Sequence, residues 1–140
     1  MVSHPLFDIS GRTALVTGSS RGIGLALARG LAEAGCAVVL NGRDEERLER
    51  AAAGLPGAVH TAAFDVTDGP SVRAGIADVE DRVGPLDVLV NNAGMQLRAP
   101  LLEFADSDWH RVLDANVTSA FLVGREAARG MTRRGHGKII

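Results

Sequence analysis

The chain contains no tyrosine, and Lys138 is the only lysine among its 15 basic residues. No phenol is therefore available to exchange a proton with a substrate oxygen, and almost every cation is a guanidinium fixed in its charged form. Cysteine is as scarce. Cys36 has no partner for an internal disulfide and, ahead of the apolar run Ala37 to Leu40, reads as a small buried hydrophobe. The four histidines, His4, His60, His110 and His136, show no metal-ligand spacing with one another or with Cys36, so no metal site is expected. No apolar run approaches the roughly 20 residues that cross a bilayer, and Met1 to Pro5 lacks the basic and apolar regions of a signal peptide. The expectation is a cytoplasmic protein with no membrane partner. A formal net charge of -2 over 140 residues provides no broad basic field for nucleic acid.

What is present is 46% hydrophobic and 23% charged, enough for one globular domain with a core. Short β-rich runs alternate with longer stretches of helical period, the pattern of a parallel sheet covered on both faces. Strands are predicted at Thr13 to Val16, Ala37 to Asn41, Ala58 to Ala63, Val88 to Asn91 and Lys138 to Ile140. Helices are predicted at Gly22 to Ala34, Asp44 to Ala53, Pro70 to Val83 and Ser107 to Arg133. The fold this implies is α/β, a three-layer, doubly wound (Rossmann-type) parallel sheet.

The first strand runs into Thr17-Gly18-Ser19-Ser20-Arg21-Gly22-Ile23-Gly24 and then into a helix. Amides at a helix start have no intrahelical partners and sit at the positive end of its dipole, so they attract a pyrophosphate that no side chain blocks. Gly18 suits the tight turn, Gly22 a close approach to phosphates, and Gly24 close packing of helix on strand. Ser20, Arg21 and Ile23 complete the candidate phosphate loop. The spacing differs from G-x-G-x-x-G, so the glycines alone do not fix the ligand.

The octet resembles the T-G-x-x-x-G-x-G signature of the short-chain dehydrogenase/reductase family. Asp65-Val66, Asn91-Asn92-Ala93-Gly94 and Asn116 in a long helical stretch fit that family in order and spacing. The resemblance runs from about Ser10 to Ile140. It implies a nicotinamide dinucleotide cofactor, an oxidoreductase of homodimers or homotetramers, and a fifth strand leading to a catalytic serine and a Tyr-x-x-x-Lys helix. None of those catalytic residues is in this sequence. The expectation is a single dinucleotide-binding domain over residues 1–140, incomplete at the C-terminus just after the fifth strand starts and inactive by itself.

Several residues carry the cofactor reading. At the end of the second strand neither Asn41 nor Gly42 is the acid that commonly holds the adenosine ribose, while Arg43 offers a planar fork for a 2′-phosphate and Arg21 a second charge. NADP is expected over NAD. The alternative is a solvated Arg43, with Asp44 on the ribose. The resemblance places Asp65 and the backbone of Val66 at the adenine edge. A turn or N-cap role is the alternative for Asp65, although Asp68 is better placed as the cap. Asn92, Ala93 and Gly94 end a strand at the carboxyl edge of the sheet, where ligands of such folds bind, and the asparagines can also stitch neighbouring strands.

Asn116 falls within a stripe of helical period, Trp109, Val112, Leu113, Val117, Ala120, Phe121, Gly124, Ala127 and Met131, and is expected to face inward. The resemblance makes it a catalytic-site asparagine that holds a water linked to the lysine. The alternative is a core asparagine bonded to a neighbouring carbonyl. Arg98, in the loop after Gly94, is a candidate substrate residue, with plain solvation as its alternative. Within the family, Leu6 to Arg12, Asn41 to Arg43 and Met95 to Leu101 resemble the gluconate 5-dehydrogenases, which implies a sugar-acid substrate whose carboxylate Arg98 would orient. The rival readings are a non-catalytic NADP(H)-binding or regulatory module and an inert fragment.

Overall fold

The computed structural model describes residues 8–140. The reading of Met1 to Pro5, and the Leu6 and Phe7 portion of the resemblance, lie outside the described residues. Five parallel strands form one sheet: β1 (Thr13–Val16), β2 (Ala37–Gly42), β3 (Val59–Ala63), β4 (Val88–Val90) and β5 (Lys138–Ile139), in the order β3-β2-β1-β4-β5. Connections after β1 run to one side and those after β3 return past β1 to the other, so the order reverses at β1 and opens a crevice at the carboxyl ends of β1 and β4.

The strands are short and apolar on both faces because both are covered. Ala14, Val16, Val38, Leu40 and Val90 pack with Ala28, Ala32 and Leu48 of helices α1 (Gly22–Glu33) and α2 (Glu45–Ala53). Leu15, Val39 and Leu89 face the other way, onto Val72, Ile76 and Val79 of α3 (Gly69–Arg82) and onto Val123, Ala127 and Met131 of the last helix. Alternate strand residues thus feed two cores, the hallmark of three layers. Gly24, Ala28 and Ala32 recur every fourth position and are buried, so α1 lies close on the sheet through small residues.

Local chemistry sets the boundaries. Asp44 caps α2, its Oδ1 accepting from the Arg47 amide at 3.0 Å, and Asp68 caps α3, accepting from the Ser71 amide at 2.8 Å. The predicted cap role of Asp68 is observed. Gly135, at φ 74°, closes the last helix in the left-handed conformation.

The predicted single helix Ser107 to Arg133 is instead three pieces, with a separate turn ahead of them. A short 3-10 turn, Leu101–Glu103, precedes α4 (Asp106–Leu113), a π-turn spans Asp114–Thr118, and α5 continues over Ser119–Arg134. The wider π-turn shifts the angular register beyond it, so the inward stripe is corrected: Ser119, Val123 and Gly130 are buried with Ala127 and Met131, whereas Phe121 is more than half exposed, as are Val117 on the turn and Trp109 ahead of it. Asn116, expected inward, sits exposed on the π-turn.

Candidate cofactor site

A cleft of about 780 Å³ lies along the carboxyl edge of the sheet. It gathers ten of the thirteen predicted cofactor residues: Gly18, Ser20 and Arg21 from the first turn, Asn41 and Arg43 after β2, Asp65 and Val66 after β3, and Asn92, Ala93 and Gly94 after β4. Gly22, Ile23 and Gly24 form the adjoining first turn of α1 rather than the lining, with the Ile23 side chain 76% exposed.

The glycines earn their places differently. Gly18 is left-handed at φ 62°, and a Cβ there would come within 2.9 Å of Ala93 Cα. Gly22, at φ 59°, has open space around it, so its requirement is conformational. Gly24 is packed against the Asn92 amide and the Gly18 carbonyl, leaving no room for a methyl group.

Helix α1 differs from α2 and α3 in its electrostatics. No side chain caps its N-terminus at Arg21, and its first turn holds no acid, whereas α2 carries its Asp44 cap with Glu45 and Glu46. The uncompensated positive end of α1 therefore meets the cleft beside two guanidiniums, and an anion is the species such a place holds best. Among the described residues, neither Arg21 nor Arg43 makes an ion pair.

Asparagines hold the strand ends together. The Asn92 side chain donates to the Thr17 and Gly18 carbonyls at 2.9 and 3.1 Å, while the Thr17 hydroxyl accepts from the Asn92 and Ala93 amides, both at 3.0 Å. The Asn41 side chain is 1% exposed and donates to the carbonyls of Ala62 and Phe64. Asp65 accepts from the Thr67 hydroxyl at 2.7 Å and the Thr67 amide at 2.8 Å, so it forms a turn and also faces the cleft. Those bonds, with Arg43 nearby, hold its carboxyl below the usual carboxylate range.

A depressed folded-state pKa stabilises the protein above the ordinary carboxylate value and loses that contribution as pH falls through the lowered one. Asp65→Asn should therefore melt below wild type at pH 7, and the gap should close as pH falls below about 4. Thermal melts at pH 7, 5 and 3 check this; a gap undiminished at pH 3 would count against the charge as its cause.

Asn116 does not line the cleft. Its Oδ1 accepts from the Met95 amide at 3.1 Å, and its Nδ2 donates to the carbonyls of Met95 and Val112 at 2.8 Å each. One side chain on the π-turn thereby pins the loop that follows Gly94, and Gly94 itself abuts the Asn116 amide with no space for a side chain. Arg98 is exposed on the same loop, outside the lining; with the Gln96 amide oriented to accept, its Nε and Nη2 each lie 3.1 Å from the Gln96 oxygen. Cys36 is buried, its thiol pushed up by burial, and fits the packing role expected of it.

A family model for short chain dehydrogenase matches residues 12–140. The chain belongs to this family. It is 52% identical to gluconate 5-dehydrogenase of Gluconobacter oxydans (strain 621H), an alignment that covers 99% of this chain and 56% of that protein. It is 41% identical to 5-keto-D-gluconate 5-reductase of Escherichia coli (strain K12), covering 98% of this chain and 55% of the relative. Among solved structures, a gluconate 5-dehydrogenase from Burkholderia cenocepacia J2315 in complex with NADP and tartrate superposes with a TM-score of 0.89 at 51% identity, over 95% of this chain and 53% of that one. The chain spans about half the length of the relatives it matches.

As a member of this family the chain shows further cleft residues absent from the sequence reading. Arg47 and Arg111 line the cleft, together with Phe64, Thr67, Met95 and Asp114. Arg47 could have been found from its spacing, since it lies one helical turn beyond Arg43 and three residues after the Asp44 cap. Arg111 gave no such signal, because it comes to the cleft from α4, far along the chain from the glycine turn and the ends of β2 and β3. Among the described residues, no group of three or more His, Cys, Asp or Glu side chains could hold a metal, and no helix is long and apolar enough to cross a membrane.

Proposed function

We propose that this chain is the dinucleotide-binding part of an NADP-dependent oxidoreductase of the gluconate 5-dehydrogenase type, which interconverts a sugar acid and its keto form in the cytoplasm. The observation that carries this reading is the uncapped, acid-free start of α1 beside Arg21 and Arg43 at the sheet's switch point. Likeness to relatives named for gluconate and 5-ketogluconate supports the substrate class.

In this reading the amides of Gly22 to Gly24 hold the pyrophosphate, and Arg21 and Arg43 hold the 2′-phosphate as a charge-assisted, forked pair. Asp65 and Val66 receive the adenine edge, and Asn92, Ala93 and Gly94 border the ribose. Bound there, NADP supplies the site that accepts or returns a hydride. Asn116 keeps the loop after β4 in place, and in the intact enzyme it also holds the water that reaches the lysine. Arg98 orients the substrate carboxylate from that loop.

Proton transfer requires a tyrosine, and this sequence has none. The 140 residues therefore bind NADPH without turnover and form one domain. The exposed face of Trp109, Val117 and Phe121 belongs against a second copy, in a homodimer or homotetramer of the intact protein. A non-catalytic NADP(H)-binding module is the second reading, favoured by the missing phenol alone.

Fluorescence titration with NADPH and NADH, combined with thermal melting and a 5-ketogluconate reduction assay, tests the proposal. Saturable NADPH binding at least ~10-fold tighter than NADH, a raised melting temperature and no turnover are expected. Equal or tighter binding of NADH, or turnover by these 140 residues, contradicts it.

A further inference from the structure

Asn41 was read from the sequence as a cofactor contact at the place where an acid often holds a ribose, but its surroundings leave the side chain nothing to give a ligand. It is 1% exposed, and both of its amide hydrogens are spent, on Ala62 O at 3.1 Å and Phe64 O at 3.2 Å. Its Oδ1 lies 3.4 Å from the Gly18 amide. The main chain at the same residue is zipped to the glycine turn: Ser19 N donates to Asn41 O at 2.9 Å, and Asn41 N donates to Ser19 Oγ at 3.0 Å. That hydroxyl is itself fully buried and donates to Val16 O at 2.6 Å.

One residue thus joins three segments that line different parts of the cleft: the glycine turn, the end of β2, and the end of β3 leading to Asp65. We propose that Asn41 is a positioning residue, which sets the glycine turn and the β3 end at the spacing a dinucleotide requires, and that the ribose-binding acid of NAD-selective folds cannot be installed at this position. A carboxylate there would lose both donors and set its oxygens against the carbonyls of Ala62 and Phe64 in a water-free pocket, which is among the costlier substitutions a buried site can suffer. Cofactor choice in this chain is consequently not set by the Asn41 side chain. The inference rests on the cofactor reading above and adds how the site is held.

The test uses the intact protein that carries this sequence, with 5′-ADP and 2′,5′-ADP as calorimetric probes below the melting temperature of each variant. Asn41→Ala should weaken both probes by about ten-fold and by the same factor within two-fold, because the loss lies in the spacing of the site and not in one contact. Val79→Ala, a buried α3 position outside the cleft, serves as a stability control. It should lower the melting temperature while leaving both affinities unchanged. Asn41→Asp should gain no relative preference for 5′-ADP.

Wild-type affinities in Asn41→Ala would overturn the inference, as would a loss confined to 2′,5′-ADP or an equal loss in Val79→Ala. A swing of Asn41→Asp toward 5′-ADP would overturn the exclusion of an acid. Should Asn41→Asp fail to fold, Asn41→Ala decides. Failure of the cofactor reading itself is distinguishable, since the wild type would then bind neither probe and the inference would fall with it.

Discussion

Gly24→Ala should weaken NADPH binding at least ~100-fold and lower the melting temperature by roughly 5 °C. Two effects oppose each other at this position. Alanine is the better helix former by about 1 kcal/mol, so on propensity alone the substitution would stabilise α1. Against that, the new methyl group would meet the Asn92 amide nitrogen and the Gly18 carbonyl oxygen at 2.5 Å and Ser19 Cα at 2.9 Å. Overpacking of this kind costs about 1–3 kcal/mol, and here the atoms that must yield are backbone or an amide already bonded to the Thr17 and Gly18 carbonyls. The collision wins. Relief comes by moving α1 away from the turn, which displaces the amides proposed to grip the pyrophosphate, so binding suffers far more than folding. Titration with NADPH beside a thermal melt separates the two effects; a more stable variant with wild-type affinity would show that the close packing at Gly24 is not needed.

Replacing Arg43 by alanine should cost NADPH about 10- to 100-fold in affinity and alter NADH by less than three-fold. The side chain is exposed and makes no ion pair among the described residues, so its removal leaves no buried partner behind and should shift the melting temperature by under about 2 °C. What it removes, on the proposed cofactor reading, is a charge-assisted pair with the 2′-phosphate, worth about 1.5–3 kcal/mol. Arg21, and Arg47 on the first turn of α2, remain to hold part of the affinity. Arg47 shares its charge with Asp44, 3.7 Å away, and so should substitute poorly for Arg43. Dissociation constants for both coenzymes check the prediction. A parallel loss of NADH would mean that Arg43 serves the adenine or ribose in both.

Much of this architecture was legible in the sequence because its signals are local. Apolar runs marked all five strands to within a residue or two, and Asp44, Asp68 and the glycine turn marked where helices begin. The long helical stretch misled for a physical reason. A constant 3.6-residue period cannot anticipate the π-turn at Asp114–Thr118, and beyond it the inward face is shifted, although Ala127 and Met131 stay buried. Phe121 therefore counted as core and lies exposed, while Val123 is buried against α3. The π-turn is also what brings Asn116 to the backbone of Met95.

Within the cleft, most residues at the strand ends were found, whereas Phe64, Thr67 and Met95 beside them, and those delivered from a distance, were missed. Arg111 comes to the cleft from α4, far along the chain from the glycine turn and the ends of β2 and β3. Asn41 shows a subtler limit. Its location at the carboxyl end of β2 was evident, but the direction of its amide, inward onto Ala62 and Phe64, depends on the register between β2 and β3.

The most direct test is a crystal structure of the protein with NADPH. The pyrophosphate oxygens should lie about 3 Å from the main-chain nitrogens of the first turn of α1, with the 2′-phosphate between Arg21 and Arg43. Electron density for the dinucleotide at another location, with the start of α1 open to solvent, would contradict the account.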